Sequence, residues 1–161
     1  MSFGLSNNLE CLKIAIDYAI SKNVIVIAAV GNYGTTKLQY PAAYDGVIDV
    51  GFVNKEHMYS NFSQHNNSVD VVAPGEDISG ILINKNSDVS GTSFSAPHVA
   101  AAAAIAICID EEITRNEFYD LIKNTSVDFG EIGYDTYYGY GLLNIGEISK
   151  KLIEKNLSLC H

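Results

Sequence analysis

The sequence predicts an α/β fold, a parallel sheet with flanking helices. Two observations carry this. A helical pattern over residues 9–22 runs directly into Val24-Ile25-Val26-Ile27-Ala28-Ala29, a continuous, largely β-branched run of the kind buried on both faces of a parallel sheet. Further on, the polar turn Ser90-Gly91-Thr92 precedes a nearly all-alanine and isoleucine run ending at Ile109, a helix apolar all round and so expected in the core. The 161 residues suffice for one domain with a sizeable core.

The elements follow in order. Leu9, Leu12, Ala15, Ile16, Ala19 and Ile20 have the spacing of one helix face. Asn7 and Glu10 are spaced as a capping box, and Asn23 suits the helix end. Helix followed by buried strand is one arm of a parallel sheet. The turn Val30-Gly31-Asn32-Tyr33-Gly34 then falls at the strand's C-terminal end, where open α/β sheets place their sites. A second buried strand is expected over residues 47–53. Residues 78–83 read as the first strand of a hairpin that turns at Asn84-Lys85-Asn86. Thr114 and Glu117 form a second capping box, opening a helix to about Asn124. A last helix runs through Ile148 and Leu152. The tyrosines around residue 138 read as packing rather than as a ligand cage.

Composition excludes several function classes. A net charge of −9, from 10 basic and 19 acidic residues, argues against nucleic acid or an anionic membrane as partner. The longest apolar run, residues 99–109, is shorter than a membrane span. Met1-Ser2-Phe3-Gly4-Leu5 has neither the basic region nor the apolar core of a signal peptide. Cys11 and Cys108 fall in apolar helical patterns and are expected as buried free thiols, which leans towards an intracellular setting. No CxxC pair or Cys/His cluster suggests zinc, Cys160-His161 being adjacent residues on a tail. No cofactor is expected.

Ser93 has two readings. It is a preferred N-cap type for a core helix. It is also a hydroxyl beside the unpaired N–H groups and positive dipole end of that helix, a suitable place for a nucleophile. Pro97 is expected in the first helical turn, where its missing N–H is not needed. Asn32 by itself reads as a turn former.

Resemblance narrows these alternatives. Gly91-Thr92-Ser93-Phe94-Ser95-Ala96-Pro97-His98-Val99-Ala100 resembles the active-site serine motif of the subtilisin-like serine proteases, with Phe94 replacing the usual Met and Ala101 a frequent Gly. Ala28-Ala29-Val30-Gly31-Asn32-Tyr33-Gly34, 61 residues ahead of the serine, resembles the segment supplying the family's oxyanion-hole asparagine. Tyr40-Pro41-Ala42, Asn61-Phe62-Ser63, Ala73-Pro74-Gly75 and Tyr138-Gly139-Tyr140-Gly141-Leu142-Leu143-Asn144 also match family segments.

The resemblance implies a three-layer subtilisin-like parallel sheet, present as its C-terminal part. It implies a serine-type endopeptidase acting on polypeptide substrates through an acyl-serine. Ser93 is then the nucleophile and Asn32 the oxyanion-hole residue. Ser2, Phe3, Gly4, Ala29, Val30 and Gly31 wall the pocket for the residue before the cut, with Gln39 at its floor. Asp70, with carbonyls around Ala42, Tyr44 and Val47, matches a weak cation site of the family. One carboxylate is too few for a calcium cage, so no tight metal is expected.

The family's catalytic Asp and His motifs do not occur in these residues, and Met1 aligns with the interior of a family strand. His98 lies five residues beyond Ser93, about 140° round the helix. His57 and His65 sit in a polar loop without the family motif. The chain taken alone is therefore expected to be inactive. Three readings stand: a truncated or split protease, a subunit completed by an N-terminal protease fragment, or a non-catalytic peptide-binding module.

Overall fold

A computed structural model describes residues 1–82 and 85–158. Three strands, β1 (Ile27–Ala29), β2 (Ile48–Val53) and β3 (Val71–Pro74), form a parallel sheet in the order β1-β2-β3. Ile27 pairs with Ile48, and Val50 with Val71. Met1 lies along the other side of β1: its amino group donates to the Ile27 carbonyl, and its carbonyl accepts from the Ala29 N–H at 3.0 Å.

Alternation along β1 divides the core into two layers. Val26 and Ala28 face Ile16 of α1 (Glu10–Ser21), with Ala42, Tyr44 and Val47. Ile27 and Ala29, with Ile48, Val50, Val71 and Ala73, face α2 (Thr92–Ile109), α3 (Arg115–Thr125) and α4 (Ile145–Ser158). Every residue of β2 is buried, as expected of a central strand clothed on both faces. An antiparallel hairpin, β4 (Ile78–Leu82) and β5 (Lys85–Val89), leads into α2. Lys85 and Asn86 already belong to β5; Ile83 and Asn84 lie outside the described residues.

Several expectations need correction. β1 is shorter than residues 24–29 because the Val24 N–H bonds to Ala19 in the final turn of α1, and Val24 is exposed. Asn23 does close that helix, at a φ of 59°. Its start is not a capping box. Leu9 is the N-cap, and the Tyr44 hydroxyl serves the Leu9 N–H and carbonyl instead. Thr114 and Glu117 do form the reciprocal box that opens α3.

α2 is buried on one face only. Ala96, Val99, Ala102, Ala103 and Ala106 pack on the sheet, whereas Ala100, Ala101, Ala104, Ile105 and Ile107 are exposed. At 18 residues it has the length and apolarity to cross a membrane, longer than the run counted from residue 99, but its inner face packs as a core helix. Cys108 shares the outer face and Cys11 the outer face of α1, so both free thiols are exposed. An apolar helical pattern sets helicity but does not show which residues face the core.

Candidate active site

The site forms where the loop after β1 meets the first turn of α2. Gly91 is the N-cap of α2, so Thr92 and Ser93 are its first two residues and Ser93 is not a cap. The Ser93 N–H therefore has no intrahelical acceptor. Gly91 adopts a φ of 143°, and a Cβ there would meet the Asn32 Nδ2 at 3.1 Å. A glycine lets that amide approach the helix end.

Thr92 is fully buried and orients Asn32. Its N–H and hydroxyl donate to the Asn32 Oδ1 at 2.8 and 2.9 Å. Thr92 Oγ1 also accepts from the Gly31 N–H at 3.3 Å. With Oδ1 doubly engaged, the rotamer of the carboxamide is fixed. Its Nδ2 has no acceptor among the described residues.

Ser2 and Ser93 are bonded reciprocally. The Ser93 hydroxyl donates to the Ser2 carbonyl at 3.2 Å, and the Ser2 hydroxyl donates to the Ser93 carbonyl at 2.9 Å. The second bond follows from Pro97, which lies inside α2 rather than in its first turn. Proline has no N–H for the carbonyl four residues back, which is that of Ser93. Ser2 supplies the missing donor. Ser95, one turn in and fully buried, anchors the helix to β3 through the Ala73 and Pro74 carbonyls at 3.0 and 3.1 Å.

Phe3, Gly4, Ala29, Gly31, Asn32, Tyr33, Gln39, Thr92 and Ser93 line one cavity of about 250 Å³. Seven of the nine pocket and catalytic residues predicted from the sequence meet there. Val30 is buried behind it, and Ser2 reaches the site only through Ser93. Gln39 is buried, its Nε2 donating to Ser6 at 3.4 Å. Tyr33 and Thr92 were not anticipated as lining residues.

No histidine or carboxylate lines this cavity among the described residues. His98 Nδ1 bonds to the Phe94 carbonyl at 2.9 Å, on its own helix. His65 stacks on Tyr137 at 4.7 Å and meets the Tyr59 hydroxyl at 3.1 Å, while His57 packs edge-on against Phe129. The carboxylate matched to a cation site is already engaged: Asp70 accepts from the Asp49 N–H at 2.8 Å and the Tyr119 hydroxyl at 2.7 Å. Burial raises its pKa, an effect those two hydrogen bonds and the nearby Arg115 oppose.

A nucleophile-type serine at a helix start, an oriented amide donor and a strand beside them form a constellation suited to acyl transfer. The Subtilase family model matches residues 1–141. The chain belongs to the subtilase family. It is 35% identical over 150 residues to subtilisin E of Bacillus subtilis (strain 168), covering 90% of this chain and 39% of that protein. It is 42% identical over 137 residues to the major intracellular serine protease of the same strain, covering 78% of this chain and 43% of that one. The subtilase chain thus spans about two fifths of these relatives' length, the C-terminal part of the catalytic domain.

Solved subtilase structures agree on the fold. The psychrophilic subtilisin-like protease Apa1 from the Antarctic psychrotroph Pseudoalteromonas sp. AS-11 superposes with a TM-score of 0.85 at 16% identity, over 96% of this chain and 70% of that one. The prenylagaramide maturation protease PagA gives 0.82 at 26% identity, over 94% and 60%.

Proposed function

We propose that this chain supplies the nucleophile and oxyanion hole of a serine-type endopeptidase. The observation that carries the reading is that Ser93 and an Asn32 amide oriented by Thr92 open into one cavity. In the reaction, Ser93 Oγ bonds to the scissile carbonyl carbon and its proton passes to a base. The carbonyl oxygen takes the electron pair and is held by Asn32 Nδ2 and the Ser93 N–H. The C–N bond then breaks as the leaving amine takes the proton, and water releases the acyl group by the same steps in reverse. The buried Gln39 amide at the pocket floor suits a polar side chain before the cut.

The base and its orienting acid come from polypeptide outside the described cavity. In subtilisin, a member of this family, losing the histidine costs about 10⁶ in rate. The chain alone is therefore inactive by this reading. The test mixes the full chain with a polypeptide carrying the family's Asp and His motifs and follows casein cleavage. Cleavage that appears on mixing and disappears with Ser93→Ala supports the reading; cleavage that survives Ser93→Ala refutes it.

One observation favours a second reading, a non-catalytic peptide-binding module. The Ser93 hydroxyl is held by the Ser2 carbonyl rather than by a base. A peptide would then add as a strand beside Ser2-Phe3-Gly4. Peptide binding that persists in Ser93→Ala, with no cleavage under any mixing condition, distinguishes this reading from the first.

A further inference from the structure

We propose that Gln64 is a positioning residue that holds the Asn32 amide and the Gln39 floor in place by clamping the loop that joins them. The proposal rests on the reading of Ser93 and Asn32 as nucleophile and oxyanion-hole residue. The loop over residues 31–39 carries two site side chains but is not part of a helix or strand until the isolated bridge at Tyr40. A loop of this kind places an amide accurately only if other groups fix it.

Gln64 does so from a fully buried position. Its Oε1 accepts from the Thr35 N–H at 2.9 Å and the Thr35 hydroxyl at 3.2 Å. Its Nε2 donates to the Lys37 carbonyl at 2.7 Å, and its own N–H donates to the Gly31 carbonyl at 3.0 Å. One residue thus grips the loop just before Asn32 and at two points between its two functional side chains. A buried amide is tolerable only when paired in this way, and losing it leaves the loop's polar groups without partners.

Gly31 shows how close the grip is. A Cβ there would meet Gln39 Cγ at 2.9 Å and Gln64 Cγ at 3.0 Å, and φ is 109°. The two glutamines therefore close on the residue before Asn32, while Thr92 holds its N–H. Neighbouring residues extend the clamp: Gly34 donates to the Phe62 carbonyl at 2.9 Å, and His65 to the Thr35 carbonyl at 3.2 Å. Ser63 Oγ fastens the clamp to the sheet by accepting from the Phe52 N–H of β2 at 3.3 Å. His65, stacked on Tyr137, braces its far end.

The test uses ¹⁵N-labelled full chain with Gln64→Leu, which keeps the bulk and removes both partners, and Gln64→Glu, which keeps the Thr35 acceptor and loses the Lys37 donor. Amide exchange and side-chain amide resonances are measured on the chain, and affinity for a peptide boronate is measured with a polypeptide carrying the family's Asp and His motifs present. In Gln64→Leu the Thr35 amide exchanges at least tenfold faster, the Asn32 and Gln39 side-chain resonances shift, and boronate affinity falls at least tenfold. The Val50 and Val72 amides stay protected. Gln64→Glu restores Thr35 protection and part of the affinity. Unchanged Asn32 resonances and affinity in a folded Gln64→Leu overturn the proposal. If that variant does not fold, the same null result in Gln64→Glu overturns it. A wild-type chain that ignores the boronate even with the Asp- and His-bearing polypeptide present, while Gln64→Leu still shows the Thr35 and Asn32 changes, retains the clamp and sinks the catalytic reading instead.

Discussion

Asp49→Asn should stabilise the protein at neutral pH and lose that advantage in acid. Asp49 is 1% exposed within β2. One carboxylate oxygen accepts from the Ser68 hydroxyl, and the other is buried without a partner. Burial pushes its pKa well above the ordinary 3.8; the Ser68 hydroxyl opposes this, and the Asp70 carboxylate adds to it. The folded pKa lies above the unfolded value, so the native state keeps a proton that the unfolded chain has released. Stability is therefore full below about pH 3.9, falls as pH rises towards the folded pKa, and levels off above it. Every tenfold preference of the folded chain for the protonated carboxyl is worth about 1.4 kcal/mol at a pH where the unfolded chain is ionised. Asparagine removes the ionisation and can still accept from Ser68. At roughly 2–4 °C per kcal/mol for a chain of this size, Tm should rise by at least about 3 °C at pH 8, with a smaller gain at pH 4. Thermal melts followed by circular dichroism at the two pH values measure this. A variant less stable than wild type at pH 8, or an equal gain at both, would refute the reasoning.

Two further substitutions test the anchoring of α2. Ser95→Ala leaves the buried Ala73 carbonyl and the half-buried Pro74 carbonyl short of a donor, and should cost about 1–3 kcal/mol in urea unfolding with little change in the slope. Thr92→Val removes one of the two donors to Asn32 Oδ1 and the acceptor of the Gly31 N–H. It should destabilise by about 1–2 kcal/mol and broaden the Asn32 side-chain resonances; sharp, unshifted resonances would mean that Thr92 does not orient the amide.

Much of the architecture is legible in the sequence because it depends on local periodicity. A continuous β-branched run marks β1, and the Thr114–Glu117 spacing marks the start of α3. The contiguous motifs around Asn32 and Ser93 point to the cavity. Side-specific burial is not legible. The uniform apolarity of α2 hides which residues meet the sheet, and Cys11 and Cys108 turn outward in apolar surroundings. The role of Pro97 depends on where α2 begins, and Gly91 moves that start to Thr92. Gln64 carries no local signal, since its side chain acts on residues 27 and 29 positions earlier in the chain. Its neighbours Asn61-Phe62-Ser63 mark the segment but not the residue that holds the loop.

The most direct test of Ser93 as the nucleophile is the site and rate of fluorophosphonate labelling, read by mass spectrometry on the full chain with and without a polypeptide carrying the family's Asp and His motifs. A free serine hydroxyl is a weak nucleophile near neutral pH, so the chain alone should label slowly. Addition of the second polypeptide should accelerate labelling at Ser93 by orders of magnitude, and Asn32→Ala should slow it by up to about 10²–10³, the loss measured for the corresponding role in subtilisin, a member of this family. Fast labelling at any other residue, or equal labelling in Ser93→Ala, would contradict the account.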